Sequence, residues 1–380
     1  MTKKPKVLFD AFHLTNALTG IRTYSVELFK GLEEFEQDDF DYIFAPSWEV
    51  VNKSRLLRGK LNIPKKILNH LLYFSWKQVV LPFIILFKRV DVIVTIDYML
   101  PYIRFGAQGI TVFHDTFYWE LKQNYNPVWR RIFVFLVEKG LGPTPNIIAT
   151  TNYIAQKIRA VISEDFQIKV VYQCPKKLEK KNHLKGSLKA LGLDGNKYFL
   201  HVGVFDERKN LEVLVRGFHF LHSKHPHEDF KLVLAGSPAV TFFHDSHAKI
   251  IKLIKELNLK DQVLIPGFVS EDELYELYLN AYAYVFPSKE EGFGIPVLEA
   301  MNMNVPLIIS NQAALQEVAG GAALSFEKSD AHELFQQMDK LKNADLRNEL
   351  IEKGRTRIKQ FNREKFSADF HQSILDYYHH

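Results

Sequence analysis

The stretch Tyr284-Val-Phe-Pro-Ser-Lys-Glu-Glu-Gly-Phe-Gly-Ile-Pro-Val-Leu-Glu-Ala300 decides how this chain folds. Its apolar start, its loop with two glycines and its apolar end predict a strand, a tight turn and a helix, with Pro296 at the first helical position. Glycines allow the backbone to approach a ligand closely, and the amide end of a helix attracts anions. The stretch therefore predicts a strand–loop–helix unit that binds phosphate.

Two glutamates, Glu291 and Glu299, flank this loop with seven residues between them. A carboxylate accepts hydrogen bonds from two hydroxyls, so Glu299 suits a ribose diol and Glu291 suits a hexose. An ordinary turn with a glutamate near the helix start would explain the glycines alone. Two glutamates around the same loop favour a site for a sugar and a phosphate.

The alternation of strand and helix extends in both directions from this stretch. Short apolar runs separated by amphipathic segments are typical of parallel sheets built from βαβ units. The predicted strands cover residues 6–10, 42–45, 91–95, 109–113, 146–150, 169–172, 198–203, 231–235, 262–265, 283–286, 306–309 and 322–326. Two series of about 170 residues each predict two doubly wound α/β domains. A lysine-rich segment without apolar periodicity, 176–190, is the expected linker between domains at 1–175 and 191–360.

Composition limits the class of protein. The chain has 380 residues, a net charge of +5 and one cysteine, Cys174. A single cysteine excludes an internal disulfide framework and favours a reducing compartment. The N-terminus shows no signal-peptide pattern, and the longest apolar run, 79–87, is shorter than the ~20 residues of a membrane-spanning helix. We therefore expect a cytoplasmic protein.

A second block of sequence, residues 199–211, repeats the strand-to-helix pattern. Gly203 permits a tight turn at the end of the predicted strand, and Arg208 and Lys209 follow at the junction with a helix. Adjacent cations at such a junction suit a diphosphate, since Arg offers a planar fork and Lys a point charge. Two solvated surface cations are the alternative, which the glutamate loop makes less favourable.

The spacing of Glu291 and Glu299 resembles the E-x7-E motif of the retaining glycosyltransferases of family 4, and the likeness extends over nearly the whole chain. The resemblance implies the GT-B fold, an α/β architecture of two doubly wound Rossmann-like domains facing across a cleft. It implies that Glu291 binds the transferred sugar and Glu299 the ribose. It also implies that the intervening loop meets the sugar and phosphates through Gly292, Phe293, Gly294 and Ile295.

Two further segments resemble parts of the same family. The block from Gly203 to Lys209 is similar to the G-x-x-x-x-R-K-N phosphate site of bacterial mannosyltransferases, although Val204 stands where many members carry an arginine. The loop with Phe268 and Val269 resembles the family's nucleobase-binding loop, and Ser270 with Glu273 predicts a capping box for the next helix. The last segment, 361–380, resembles the helix that returns to the N-terminal domain.

The N-terminal half contributes two candidate sites. A glycine-containing loop leads into a helix with Gly20, Ile21 and Arg22, and it is similar to the family's N-terminal loop at the donor phosphates. His114 and Asp115 end an apolar strand, where parallel sheets bind ligands. The pair resembles the family's His-Asp, which implies that it contacts the transferred sugar. The catalytic candidates are therefore His114, Arg208, Lys209 and Glu291.

Residues 53–89 carry nine cations and no Asp or Glu, with leucines and aromatic residues between them. The cations are Lys53, Arg55, Arg58, Lys60, Lys65, Lys66, Lys77, Lys88 and Arg89. Basic residues among aromatic ones favour contact with an anionic membrane surface, at the inner face of the plasma membrane. Packed helices with a basic outer face are the alternative. Nucleic acid is not an expected partner, because no recognition motif accompanies the charge.

The resemblance implies transfer of a hexose from GDP-mannose or a UDP-sugar to a glycan or lipid-linked acceptor in surface polysaccharide synthesis. No metal or other cofactor is expected, since the sequence has no Asp-x-Asp placed to hold one. An epimerase or hydrolase on the same fold is one alternative, and a catalytically silent nucleotide-sugar-binding subunit is another. Transfer that requires an acceptor, release of free sugar or epimer, and binding without turnover distinguish the three.

Overall fold

A computed structural model of the protein describes residues 3–17, 20–35, 38–53, 63–179, 187–238 and 246–379. The chain divides into two compact units. The first unit comprises Met1–Cys174 together with Phe361–His380, and the second comprises Pro175–Gln360. At the end of the segment 176–190, which the sequence predicts to be a linker, a one-turn helix at Ser187–Ala190 belongs to the second unit.

The first unit is built on a sheet of six parallel strands in the order β2-β1-β3-β4-β5-β6. The strands are β1 Lys6–Asp10, β2 Asp41–Ala45, β3 Val92–Thr95, β4 Gln108–Phe113, β5 Asn146–Ala149 and β6 Ile168–Val170. β1 and β3 are buried almost throughout, as expected for strands covered on both faces. All six strands predicted for the N-terminal half are confirmed.

Helices flank this sheet. They are α1 Gly20–Glu34, α2 Trp48–Lys53, α3 Ile63–Ser75, α4 Leu81–Lys88, α5 Phe117–Glu120, α6 Pro127–Leu141 and α7 Asn152–Val161. A π-helical segment, Trp76–Val80, joins α3 to α4. Asn126 begins α6 with a side-chain cap, and Thr151 does the same for α7. These polar residues satisfy amide groups that helix starts leave without intrahelical partners.

Within the described residues, the stretch Ile67–Lys88 is one helix whose length and apolar composition would suffice to cross a membrane. Length and composition alone are weak evidence for a span. Its inner face carries the buried residues Lys77, Leu81 and Ile85, which pack into the first unit. Part of residues 76–86 thus belongs to the core of the first unit. The outer face of the same helix is exposed and apolar.

The C-terminal helix, α16, covers Arg363–Tyr378 and packs against α1 of the first unit. Arg363 donates to the buried carboxylate of Glu27 at 2.6 Å and to Glu34 at 2.7 Å. A Cβ added at Gly31 would lie 2.8 Å from the Cβ of Ser367, so the glycine lets the two helices approach closely. The last 20 residues thus complete the core of the first unit.

The second unit has a sheet of six parallel strands in the order β12-β11-β10-β7-β8-β9. The strands are β7 Lys197–Val202, β8 Phe230–Ala235, β9 Val263–Gly267, β10 Ala283–Phe286, β11 Leu307–Ser310 and β12 Ala323–Phe326. The six strands predicted for this half are confirmed. Together with the first sheet they confirm two Rossmann-like domains.

The helices of the second unit are α8 Ser187–Ala190, α9 Leu211–Lys224, α10 His247–Glu256, α11 Glu271–Leu279, α12 Ile295–Asn302, α13 Ala313–Ala319, α14 Ala331–Lys340 and α15 Ala344–Ile358. Ser270 and Glu273 form the predicted capping box at the start of α11. α12 begins at Ile295, one residue earlier than predicted, so Pro296 is its second residue. The missing amide hydrogen of proline costs nothing at either position, because neither amide has an intrahelical acceptor.

Candidate functional site

The strand order of the second unit places its candidate residues at one point of the sheet. β7 and β10 are neighbours, and the chain runs from β7 toward β9 on one side and from β10 toward β12 on the other. Ligands of open α/β sheets bind outside the carboxyl ends of the strands at such a switch point. The loop after β7 carries Arg208 and Lys209, and the loop after β10 carries Glu291. The fold therefore brings both sequence blocks to one site.

Lys209 and Glu291 form an ion pair at this switch point. Lys209 Nζ lies 2.6 Å from Glu291 Oε1, and the two side chains are only 13% and 12% exposed. Burial by itself would raise the pKa of Glu291, but the charges of Lys209 and Arg208 outweigh burial and hold that pKa below its usual value. The Glu291 carboxyl group is consequently ionised at neutral pH and faces the Lys209 side chain.

Arg208 connects the loop after β7 to the loop after β10. Its guanidinium donates to the backbone carbonyl of Glu290 at 3.2 Å, and its own carbonyl accepts the amide of Lys289 at 2.8 Å. Asp206 accepts the Arg208 amide at 2.8 Å and thereby starts the 3-10 turn Glu207–Lys209. These contacts fix the cation beside Glu291.

Two supporting residues were not predicted from the sequence. Asn210 adopts a left-handed backbone with φ 57° and donates from its side chain to Pro287 O at 3.0 Å and Lys328 O at 2.6 Å. Gln312 donates to the backbone carbonyl of Glu291 at 3.1 Å. Asn210 completes the Arg-Lys-Asn block, so its position was visible in the sequence. The sequence around Gln312 does not indicate a role in the site, because only the fold brings the start of α13 to the loop that carries Glu291.

Glu299 lies in the second turn of α12 and is half-buried. Tyr278 donates its hydroxyl to Glu299 Oε2 at 3.1 Å. Burial is the main cause that raises the pKa of Glu299 to about 7, and the Tyr278 hydrogen bond opposes it only in part. The carboxyl group therefore exchanges its proton close to neutral pH, unlike Glu291.

The glycine loop has a conformation that only glycine accommodates. Gly294 has φ 104°, and a Cβ at this position would lie 2.6 Å from Leu315 Cδ2. The Phe293 side chain is buried and Ile295 is 8% exposed, so both contribute packing. Gly292 is half-buried. The loop thus offers its backbone, and not the side chains of Phe293 or Ile295, to a ligand.

The loop after β9 exposes an aromatic ring. Phe268 is 86% exposed and Val269 is half-buried, directly after Gly267 with φ 78°. An exposed phenylalanine fixed between a strand and a capped helix has a free face for stacking. Phe268 therefore retains its candidate role toward a nucleobase.

His114 follows β4 in the first unit. Its Nε2 donates to the backbone carbonyl of Ile96 at 2.8 Å, and Tyr24 contacts its ring edge-on at 4.7 Å between centroids. Since a carbonyl only accepts, the proton lies on Nε2 and Nδ1 carries the lone pair. Burial lowers the pKa of His114 to about 4. The side chain is thus a neutral hydrogen-bond acceptor at neutral pH.

The remaining N-terminal candidates serve local contacts. Asp115 accepts the amide of Phe117 at 3.0 Å. α1 begins at Gly20, Ile21 packs against the core, and Arg22 donates to the backbone carbonyl of Asn52 at 3.0 Å. The preceding loop residues 18–19 lie outside the described residues. Arg22 thus contacts α2, and its contact with an anionic ligand stays a prediction.

A cluster that the sequence did not predict occupies the switch point of the first sheet, between β1 and β3. Lys77 is fully buried; its Nζ lies 2.5 Å from Asp10 Oδ2 and also bonds Asp97. Trp76 donates to Asp10 at 2.9 Å, and Tyr73 donates to Asp97 at 3.0 Å. Assigning Lys77 to a basic outer surface was therefore wrong. A buried ammonium requires compensating negative charge, which the two carboxylates provide. The π-helical segment directs the Lys77 side chain inward.

Among the described residues, no group of three or more His, Cys, Asp or Glu side chains is arranged to hold a metal ion. The independence of the protein from metals stays a prediction, because that finding does not cover residues 18–19, 36–37, 54–62, 180–186 and 239–245.

Comparison with known proteins identifies the C-terminal part. Residues 187–357 match the family model described as "Glycosyl transferases group 1". The chain is therefore a glycosyltransferase that carries a group 1 domain in its C-terminal half. The matched residues include the whole switch-point site, from Gly203 to Glu299.

Two relatives that match this glycosyltransferase over most of its length are named mannosyltransferases. It is 26% identical to the O-antigen chain mannosyltransferase RfbU of Salmonella typhimurium, a match that covers 82% of this chain and 84% of the relative. It is also 26% identical to the O-antigen chain mannosyltransferase B of Escherichia coli, over 94% of this chain and 96% of the relative. The glycosyltransferase therefore resembles bacterial mannosyltransferases of O-antigen synthesis.

Solved structures show the fold of the glycosyltransferase. A sucrose-phosphate synthase from Thermosynechococcus elongatus superposes with a TM-score of 0.72 at 19% identity, covering 98% of this chain and 99% of that one. WaaG, a glycosyltransferase involved in lipopolysaccharide biosynthesis, superposes with a TM-score of 0.65 at 15% identity, covering 97% and 99%. These likenesses confirm the predicted GT-B class.

Proposed function

We propose that this glycosyltransferase moves a hexose, most simply mannose, from a nucleotide-diphosphate sugar to a glycan or lipid-linked acceptor in surface polysaccharide synthesis. The observation that carries the proposal is the ion pair of Lys209 and Glu291 at the switch point of the second sheet. The O-antigen mannosyltransferase relatives support mannose, and therefore GDP-mannose ahead of a UDP-sugar.

Each part of the donor is assigned to one group of residues in the site. Glu291 takes hydroxyls of the transferred sugar, while Glu299 takes the ribose diol of the nucleotide. Arg208 and Lys209 neutralise the diphosphate, on which negative charge grows as it leaves. Phe268 stacks on the base. None of these proposed roles requires a metal ion.

The reaction proceeds with retention of the anomeric configuration. The bond between the anomeric carbon and the phosphate oxygen breaks, and a bond from that carbon to the acceptor oxygen forms on the same face. The acceptor hydroxyl proton passes to the departing nucleoside diphosphate, which makes the donor itself the base. The cations that hold the diphosphate thus assist both departure and orientation.

A donor screen tests the proposal. Thermal shift with GDP-mannose, UDP-glucose and UDP-N-acetylglucosamine identifies the base and sugar, because a ligand that binds only the folded state raises apparent stability. The tightest donor is then incubated with a polyprenyl-diphosphate-linked saccharide, and the product is analysed by NMR for anomeric configuration. Transfer with retention supports the proposal. Free sugar without an acceptor, or an inverted product, contradicts it.

We further propose that the protein works in the cytoplasm at the inner face of the plasma membrane, docked through the helix Ile67–Lys88. Its exposed apolar residues include Phe83 and Phe87, which are 53% and 78% exposed and stack at 6.2 Å. Lys88 and Arg89 are exposed beside them. An amphipathic helix with cations at its edge binds anionic interfaces. Arg55, Arg58 and Lys60 lie outside the described residues.

Vesicle co-sedimentation tests the docking. The wild type should bind vesicles that contain phosphatidylglycerol more than vesicles of phosphatidylcholine alone, and less so as salt rises. The double variant F83E/F87E should lose most of this binding. A control, Leu279→Glu, changes an apolar residue of the second unit that is 50% exposed, close to the 53% of Phe83. Equal binding of both variants would contradict the proposal.

A further inference from the structure

His201 is a buried histidine of β7 that no part of the donor site described above uses. It is 1% exposed and lies two residues before Gly203. Its ring is nearly parallel to those of Tyr284 and Phe286, with centroids 6.3 and 5.9 Å away. A polar residue in this aromatic layer is unusual, because an apolar side chain would pack there without the cost of burying nitrogen atoms.

The hydrogen bonds of His201 define its tautomer. Nδ1 lies 3.0 Å from the backbone carbonyl of Val285, which only accepts, so Nδ1 carries the proton. Nε2 is then a lone-pair acceptor, and it has no hydrogen-bond partner among the described residues. Buried polar atoms in folded proteins are nearly always paired, so this one calls for an explanation. Burial lowers the pKa of the ring to about 4, which keeps Nε2 unprotonated at neutral pH.

The unpartnered nitrogen and the Lys209 side chain border the same point beside Gly203. A Cβ placed on Gly203 would lie 3.3 Å from His201 Nε2 and 3.8 Å from Lys209 Cε. Lys209 Nζ also lies 4.7 Å from the centroid of the Phe286 ring, which borders His201. Nε2 is closed to solvent, so a ligand does not reach it directly.

We propose that His201 is a positioning residue for Lys209, and that its Nε2 accepts a hydrogen bond from the Lys209 ammonium when the donor sugar occupies Glu291. This inference rests on the proposed donor site. An ammonium has three donors. In the free enzyme, one of these N–H donors forms a hydrogen bond with the Glu291 carboxylate. When sugar hydroxyls donate to that carboxylate, His201 holds one N–H of Lys209 and aims the others at the diphosphate.

The conservative variants separate an acceptor role from a packing role. His201→Phe keeps an aromatic ring in the layer but removes Nε2, and we expect the donor kcat/KM to fall about 10- to 100-fold. His201→Gln keeps an amide donor for Val285 and a carbonyl acceptor, and we expect it to retain most of the activity. His219→Phe makes the same change on α9, where Nδ1 is also without a partner, and should leave activity unchanged.

A double-mutant cycle with Lys209→Ala decides the proposal, with GDP-mannose or the tightest donor of the screen as the probe. Under the proposal, His201→Phe has almost no further effect in the Lys209→Ala background. Equal fold-losses in both backgrounds would show a merely structural role and overturn it. If Lys209→Ala itself leaves donor affinity and turnover intact, the donor site is wrong, which is a different failure.

A spectroscopic readout covers the case in which His201→Phe folds poorly. In the wild type, saturation with the donor should move the 15N resonance of His201 Nε2 upfield, as expected for a lone pair that accepts a hydrogen bond. In Lys209→Ala the resonance should stay in place. An unchanged resonance in the wild type at saturating donor overturns the proposal.

Discussion

Lys209 and Glu291 stand 82 positions apart in the sequence, yet Nζ and Oε1 are 2.6 Å apart at the switch point of the second sheet. The pair joins the two sequence blocks that predicted the site. In the free enzyme each group satisfies the other, so donor binding must exchange this contact for contacts with the sugar and the diphosphate. The pair therefore holds both groups in position before the donor arrives.

Removal of the cation should damage catalysis more than stability. We expect Lys209→Met to lower kcat/KM about 10²- to 10³-fold, since the charge on the leaving diphosphate loses a preorganised partner. Steady-state kinetics with the identified donor measures the effect. Lys289→Met, an exposed lysine two residues before Glu291, is the control and should stay near wild-type activity. Equal losses in the two variants would point to general loop damage.

The two glutamates should respond to pH with opposite signs. The pKa of Glu299 is raised in the folded state from its ordinary value of 4.5 to about 7. The wild type therefore loses stability as the pH rises from 4.5 through 7. Glu299→Gln removes that loss and should raise Tm by a few degrees at pH 8, with less gain at pH 5. The pKa of Glu291 is lowered, so its contribution is present above pH 4.5 and is lost in acid. Glu291→Gln should thus lower Tm at pH 8.

Differential scanning fluorimetry of both variants at pH 5 and pH 8 measures these effects. Changes of the same sign in Glu299→Gln and Glu291→Gln would contradict the assigned environments, because burial dominates at one carboxyl group and neighbouring cations at the other.

Most of the fold followed from local sequence pattern, whereas the unpredicted parts depend on long-range packing. All twelve strands lie where short apolar runs predicted them, because parallel strands covered on both faces must be apolar. Lys77 was assigned to a basic surface, since nothing local shows that Asp10 and Asp97 meet it. Gln312 was missed for the same reason, because only the path of the chain brings it to Glu291.

His114 should stay neutral across the working pH range. Its pKa, lowered to about 4 by burial, predicts no protonation near the usual 6.5. A 1H–15N titration of the histidine rings should show His114 unprotonated down to about pH 5. The pKa of His114 is lower in the folded state than in the unfolded state, so His114 makes the fold less stable as the pH falls from 6.5 toward 4. The variant His114→Gln should reduce that acid sensitivity. A titration midpoint near 6.5 would contradict the buried geometry.

Lys77 should be essential to the stability of the first unit. Lys77→Met leaves Asp10 and Asp97 buried without their cation, and removal of one partner from a buried ion pair costs about 3–5 kcal/mol. Urea denaturation should show this loss. Lys88→Met, on the exposed end of the same helical stretch, should stay within about 0.5 kcal/mol of the wild type. Similar stabilities for the two variants would exclude the buried cluster.

The most direct measurement of the central claim is calorimetric titration of nucleotide sugars into the wild type, Lys209→Ala and Glu299→Ala. If the switch-point loops bind a diphosphate-linked sugar, the wild type should bind one donor molecule per chain. Each variant should then weaken the affinity for that donor at least about tenfold, which corresponds to ~1.4 kcal/mol. Unchanged affinity in both variants, or no binding of any nucleotide-diphosphate sugar by the wild type, would contradict the account.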